Sequence, residues 1–202
     1  MQKLLIATKN PGKFKEISNS LGELPYEYVF LKDLGIEDSD FVEDGESFEE
    51  NAFKKAKYYY EKTKLITLAE DSGILVEAMD GELGIKTRRW GAGENASDEE
   101  WLDFFMKRME KEKNRKAEFI CSACLIDEIG NIHTFEGKTS GKITEKMMAP
   151  VLKGLPLSSV FLPDGFSKVY AGLATEEKNK ISHRGKAIGK VRDFFLFNYG
   201  GV

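Results

Sequence analysis

The chain has 202 residues, of which 41% are apolar and 32% charged, with a formal net charge of −4. That balance argues against a surface built to coat nucleic acid, and no apolar run is long enough to span a bilayer. Two cysteines imply no disulfide framework, and Met1-Gln2-Lys3 runs into a strand with no signal-peptide pattern, so a reduced, cytoplasmic protein is expected.

Lys3 to Thr8 (KLLIAT) predicts a buried first strand. Asn10 is placed to cap the next helix, Pro11 suits its first position, and Phe14, Ile17 and Leu21 recur at helical spacing. The turn between them, Thr8 to Lys13, sets a hydroxyl, an amide, exposed backbone N–H groups and an ammonium at a helix N-terminus, where anions are favoured. Taken alone it is equally a capped turn with solvated lysines, and it is no Walker loop, because GxxxxGK[ST] is absent. Tyr26 to Leu31 predicts a second strand, and Glu37 to Glu46 an acidic surface loop. Ser47 and Glu50 form a capping box that opens a helix from Phe48 to about Lys62, with Ala52, Ala56 and Tyr59 along one face. Asn51 and Lys55 lie one turn apart on that helix. Taken alone they read as a solvated face, and Glu43 as a solvated loop acid.

Leu65 to Gly73 (LITLAEDSG) is a β-prone run that stops in Glu70 and Asp71 and predicts a Ser-Gly turn, with Ile74 to Ala78 returning as a short strand. Two adjacent carboxylates at the mouth of a buried strand are costly unless a divalent cation or a proton in transit uses them. Leu83 to Gly93 predicts a Gly-rich basic loop beside a cleft. Ser97 and Glu100 form a second capping box and open a helix to about Glu112, in which Trp101, Leu102, Phe104, Phe105 and Met109 give a core or dimer contact. Phe119 to Ile126 and Ile132 to Gly141 predict a hairpin. Period-two alternation sends Cys121 and Cys124 to opposite faces, against a zinc site, and His133 to solvent. Gly154 to Gly165 is turn-rich. Thr175 is expected to cap a short helical turn, and Ser182 the last helix, whose apolar side is Ala187, Ile188, Val191, Phe194, Phe195 and Phe197. Lys178, His183, Arg184 and Lys186 gather at the start of that helix as a second candidate site for an anion or heteroatom. Strand-helix alternation followed by a hairpin, with no repeat or linker, predicts an α/β or mixed-sheet protein.

These parts suggest one chemistry. Lys13, Lys55 and the first helix N-terminus suit a polyphosphate. Glu43, Glu70 and Asp71 suit a hard metal that bridges to phosphate, and His183 and Arg184 offer donors to a base edge. Metal-assisted attack of water on a nucleotide phosphate is the economical reading.

Four motifs in register also carry a resemblance: Thr8-x-Asn10-x-x-Lys13, Glu43 ahead of Phe48-x-x-Asn51-Ala52-x-x-Lys55-Ala56, Ala69-Glu70-Asp71-Ser72-Gly73, and Glu177-Lys178-Asn179-x-Ile181-Ser182-His183-Arg184-Gly185. Nearly end to end, the chain resembles the inosine triphosphate pyrophosphatase family. The resemblance implies an elongated two-lobed α/β fold over residues 1–202, with a long mixed sheet flanked by helices, a cleft between the lobes, and a homodimer. It implies Mg²⁺-dependent hydrolysis of ITP, dITP or XTP to the monophosphate and pyrophosphate. By matching position, Thr8, Asn10, Lys13 and Lys55 would hold the triphosphate, with backbone contacts from Ser72 and Gly73. Glu43 and Glu70 would bind the metal together with Asp71, which would also be the general base. Lys178, His183 and Arg184 would read the base. The chain departs from the family where a Gly-Phe-Gly-Tyr/Trp-Asp-Pro-x-Phe segment is usual and Gly154 to Phe161 reads GLPLSSVF, and again at Leu83 to Trp90. The alternatives are the same cleavage with relaxed or shifted base choice, and a nucleotide-binding protein without turnover.

Overall fold

The computed structural model describes residues 1–36, 41–93 and 95–199, so residues 37–40 of the acidic loop lie outside it. Its elements are β1 (Gln2–Ile6), α1 (Pro11–Leu21), β2 (Tyr26–Phe30), α2 (Phe48–Thr63), β3 (Ile66–Val76), α3 (Asp98–Met109), β4 (Lys116–Ile126), β5 (Ile132–Ile143), β6 (Phe161–Pro163), α4 (Thr175–Ile181) and α5 (His183–Tyr199). They build a mixed six-stranded sheet in the order β2-β1-β3-β4-β5-β6. β1 pairs in parallel with β2 and β3, and the pairings from β3 through β6 are antiparallel. Among the described residues no helix is long and apolar enough to cross a membrane.

Two lobes share this sheet. In one, α1 and α5 cover one face through Leu4, Ile17, Leu21, Leu68, Ala187 and Val191, and α2 covers the other through Leu5, Ala52, Ala56, Tyr59 and Ala69. In the other lobe, Val76, Trp101, Phe105, Phe119, Phe161 and Tyr170 form a separate core. Cys121 falls in the α1/α5 core and Cys124 in the α2 core, on opposite faces as the alternation requires.

The Ser-Gly turn expected at Ser72-Gly73 does not form. β3 runs unbroken through Glu70, Asp71, Ser72 and Gly73, because β4 pairs with it continuously from Thr67↔Ile126 to Val76↔Ala117. The interruption falls in the neighbouring strand instead. β1 ends at Ile6, two residues short of the predicted Thr8, and the last bond across is Ala7 N–H to Leu68 C=O at 2.8 Å. Past that point no described strand lines this edge of β3. Every second residue therefore turns its backbone polar groups to an open edge. Lys55 Nζ reaches the Glu70 carbonyl at 3.3 Å, Asp71 Oδ1 accepts from Ser72 N–H at 2.9 Å, and Thr87 Oγ1 accepts from Ile74 N–H at 3.2 Å.

Smaller expectations also change. Phe197 is 90% exposed, off the apolar side of α5 where it was expected. His133 is a strand residue, as expected, but only partly exposed: its ring lies 4.3 Å from that of Phe194, and Nε2 is 3.3 Å from Asp127 Oδ2. Thr175 is the first residue of α4 rather than its cap, whereas Ser182 does cap α5, its Oγ accepting from Gly185 N–H at 2.9 Å. The basic Gly-rich segment contains a 3-10 turn, Gly84–Arg89.

Gly137 on β5 is what lets α5 approach. A Cβ there would lie 2.1 Å from the His183 carbonyl oxygen and 2.6 Å from Ala187 N, both rigid backbone. Gly137→Ala is therefore expected to lower stability by roughly 1–3 kcal/mol. A thermal melt would show this as a Tm decrease of roughly 2–4 °C per kcal/mol lost. An unchanged Tm would contradict this close packing.

Candidate active site

A cleft of about 880 Å³ opens between the lobes where β1 stops and β3 continues. The turn from β1 into α1 forms one wall. Asn10 Oδ1 accepts from the N–H groups of Gly12 (2.8 Å) and Lys13 (3.1 Å), and Thr8 Oγ1 accepts from Asn10 N–H at 3.2 Å. The N–H groups of Gly12 and Lys13, expected to be exposed, are thus already capped. The side chains of this turn face the cleft, and Asn10 Nδ2 reaches across to the Gly154 carbonyl at 2.9 Å.

Because β3 is a strand, Glu70 and Asp71 leave it on opposite faces. Glu70 points toward α1 and α5. Its Oε1 is 2.7 Å from Lys13 Nζ, and its Oε2 is 3.5 Å from Arg184 Nη2 and accepts from Cys121 Sγ at 3.5 Å. It is 2% exposed and lies behind the residues that line the cleft. Burial would raise its carboxyl, but Lys13, Arg184 and Lys55 outweigh that and hold it well below the usual range. Asp71 points toward α2 and lines the cleft. Its Oδ2 accepts from Asn51 Nδ2 at 2.9 Å. Here burial prevails over Lys55 and Lys13, and Asp71 titrates above the ordinary aspartate range. Glu43 is ion-paired with Lys55, and its backbone carbonyl accepts from Arg89 Nη1 at 2.8 Å, so the altered basic segment helps place this acid.

Gly73 also lines the cleft. A Cβ there would meet the Gly84 carbonyl oxygen at 2.4 Å and Thr87 Oγ1 at 2.8 Å, so glycine is required for the 3-10 turn to pack on β3. Ser72 Oγ accepts from Arg184 Nη2 at 2.8 Å.

The start of α5 forms the far end. The His183 ring stacks at 4.5 Å on Phe119, with an 11° interplanar angle, and at 6.0 Å on Tyr170. Burial, then Arg184, hold its imidazole well below the usual range, so it is neutral at pH 7, and Nδ1 has no hydrogen-bond partner among the described residues. Lys178 and Arg184 both pair with Glu16 on α1. Lys186 does not join them. It is absent from the cleft lining, and its Nζ donates to the Lys138 carbonyl on β5 at 2.7 Å. Leu155, Pro156, Leu157 and Ser158 supply a further wall of the same cleft.

Two further residues belong to this site. Asn51, on a helix face that its sequence alone marks as solvated, is fully buried and holds Asp71 with one end of its amide and Gly45 N–H (2.8 Å) with the other. Its one-turn spacing from Lys55 was the available signal. Glu16 follows Lys13 at three residues' distance on α1, a spacing that puts both on one face.

Glu43, Glu70 and Asp71 offer carboxylate oxygens, the ligand type that Mg²⁺ prefers. Among the described residues no three His, Cys, Asp or Glu side chains come close enough to hold an ion unaided. Lysines now neutralise two of the three acids, Glu43 and Glu70. Glu43 and Asp71 line the cleft and fit an ion that keeps some waters and is completed by substrate phosphates, while Glu70 stands behind that lining.

The Ham1 family model matches residues 4–194. A relative called dITP/XTP pyrophosphatase in Caldanaerobacter subterraneus subsp. tengcongensis is 39% identical over 97% of each chain. Another of that name in Aquifex aeolicus is 36% identical over 94% of each. Among solved structures, the Staphylococcus aureus Ham1 protein superposes with a TM-score of 0.79 at 30% identity, covering 97% of this chain and 99% of that one. A HAM1 protein from Coxiella burnetii gives 0.81 at 27% identity, covering 98% and 100%.

Proposed function

The chain belongs to the Ham1 family, and we propose that its cleft cleaves a nucleoside triphosphate between the α and β phosphates, consuming one water and releasing a monophosphate and pyrophosphate. The proposed substrates are ITP, dITP and XTP. One observation carries this reading: Asp71, lifted above the ordinary aspartate range by burial, stands in the same cleft as Lys13 and Lys55.

Lys13 and Lys55, with Thr8 and Asn10, bind the triphosphate. Both ammonium groups now pair with Glu70 and Glu43, and a polyphosphate competes for them. Each lysine drawn to phosphate frees a carboxylate, and Glu43, Glu70 and Asp71 are the residues that would hold Mg²⁺. When bound, the ion would supply charge neutralisation on the phosphoryl oxygens. Asp71 takes a proton from the attacking water. Its raised pKa brings it toward working pH, where a base is most effective, and Asn51 fixes the carboxylate's orientation. Ser72 and Gly73 border the phosphates from the open edge of β3. Arg184 and Lys178 donate to a 6-oxo group on the base while Glu16 holds their heads, and neutral His183 adds a ring edge. We further propose that the protein works as a homodimer in the cytoplasm.

The Leu155–Ser158 wall favours a second reading, the same cleavage with broader base choice. An apolar wall without an aromatic ring forgoes stacking worth about 1–3 kcal/mol per base. Pyrophosphate release across ITP, dITP, XTP, ATP and GTP decides between them. The lead reading expects ITP, dITP and XTP to be turned over well ahead of ATP, and all turnover to stop when a chelator removes Mg²⁺. Equal rates on ATP and ITP would remove the base discrimination and leave the hydrolase.

A further inference from the structure

We propose that Asp98 is a positioning residue: with Asn10 it suspends the wall segment Gly154–Ser158 between the two lobes. The inference rests on the pyrophosphatase reading above, which places the base against that wall. Gly154 is the point of suspension. Its N–H donates to Asp98 Oδ2 at 2.6 Å, and its C=O accepts from Asn10 Nδ2 at 2.9 Å. Asp98 is the first residue of α3, in the far lobe, and Asn10 is the cap of α1, in the near lobe. Both backbone groups of one residue are thus held by side chains from opposite sides of the cleft.

The local conformation admits only glycine. Gly154 has φ +75°, and a Cβ there would lie 2.5 Å from both Asn10 Oδ1 and Nδ2. The neighbouring backbone is equally close, since a Cβ on Gly12 would meet the Lys153 carbonyl oxygen at 2.8 Å. Leu155, Leu157 and Ser158 follow at once and line the cleft. They are coupled to the anchor by short turns, Leu155 N–H to Leu152 C=O at 2.8 Å and Ser158 N–H to Leu155 C=O at 3.1 Å. Moving Gly154 therefore moves the surface that meets the base. Asn10 keeps its own place without Asp98, because its Oδ1 remains bonded to the Gly12 and Lys13 N–H groups. Loss of Asp98 should loosen the base wall and leave the phosphate end intact.

Asp98→Ala and Asp98→Asn separate this bond from a mere charge at a helix start, because the asparagine amide oxygen can still accept from Gly154 N–H. With Asp98→Ala, KM for ITP should rise roughly tenfold, the worth of one charge-assisted hydrogen bond. Its kcat should stay within about twofold, and inhibition by inorganic tripolyphosphate, which carries no base, should be unchanged. Asp98→Asn should restore KM to near the parent value. An unchanged KM in Asp98→Ala, an equal defect in Asp98→Asn, or a tripolyphosphate inhibition constant that rises in step would each overturn the proposal. If the parent protein turns over no nucleotide, the function reading fails on its own. Amide exchange then judges the anchor: Gly154 N–H should lose protection in Asp98→Ala and keep it in Asp98→Asn, and equal protection in both would overturn it.

Discussion

Asp71→Asn is expected to lower pyrophosphate release from ITP by roughly a hundredfold to ten-thousandfold, the span a positioned general base contributes. Nucleotide binding should survive, because Lys13 and Lys55 lie on α1 and α2 and do not depend on Asp71 for their place. The parent rate should also carry an acid limb. Burial raises Asp71, so it holds its proton to higher pH than a solvated aspartate, and activity should climb as pH rises through that elevated value. The variant should show a low rate without this limb. Steady-state rates between pH 4 and about 8, with binding of a non-hydrolysable analogue measured in parallel, test both parts. A variant retaining a tenth or more of the parent rate, against the minimum of about a hundredfold loss, would remove Asp71 from the chemistry.

Glu70→Gln carries the second large effect, and there stability is the main readout. Glu70 neutralises Lys13 and contributes to holding Arg184, whose side chain is almost wholly buried. Removing one partner of a buried pair leaves the other charge uncompensated, at a cost of about 3 kcal/mol, the lower end because Glu16 still holds Arg184. In a protein of this size that is a Tm decrease of roughly 6–12 °C. The pH dependence has a definite sign. The folded-state pKa of Glu70 is depressed, so its contribution is fully present above the unfolded value near 4.5 and is lost as pH falls through the folded value. The Tm gap between parent and variant should be widest near neutral pH and should narrow below about 4.5. A constant gap across that range would mean that the loss comes from packing rather than charge.

Much of the fold was legible because most elements follow local rules. Asn10, Ser47, Ser97 and Ser182 cap helices where their side chains predicted, and the apolar spacing of Ile17 and Leu21 turned to the core. The misreading at Ser72-Gly73 has a clear cause. Ser-Gly is a strong local turn signal, but a ten-pair antiparallel register with β4 overrides it, and that partner lies some fifty residues away. Gly73 serves close approach by Gly84 instead of a turn. Glu16 was invisible for a related reason: its partners, Lys178 and Arg184, stand 162 and 168 residues along the chain. Lys186 shows the reverse error, since nearness in sequence to His183 and Arg184 suggested a shared site, whereas its ammonium is drawn to the Lys138 carbonyl on β5. At the phosphate end Lys13 was the easiest to read, because it follows the marked cap of α1, whereas Lys55, Glu70 and Asp71 lie inside α2 and β3. The Gly154–Ser158 wall hangs from contacts that only the tertiary fold creates.

Asp71, Lys13 and Lys55 are expected to act together on one triphosphate. Phosphorus NMR of ITP turned over by the 202-residue chain with Mg²⁺ tests that most directly. It should show IMP and pyrophosphate as the only products, in equal amounts, from the first time point. IDP with orthophosphate, or unchanged ITP under conditions where the nucleotide is bound, would contradict the assignment of this cleft.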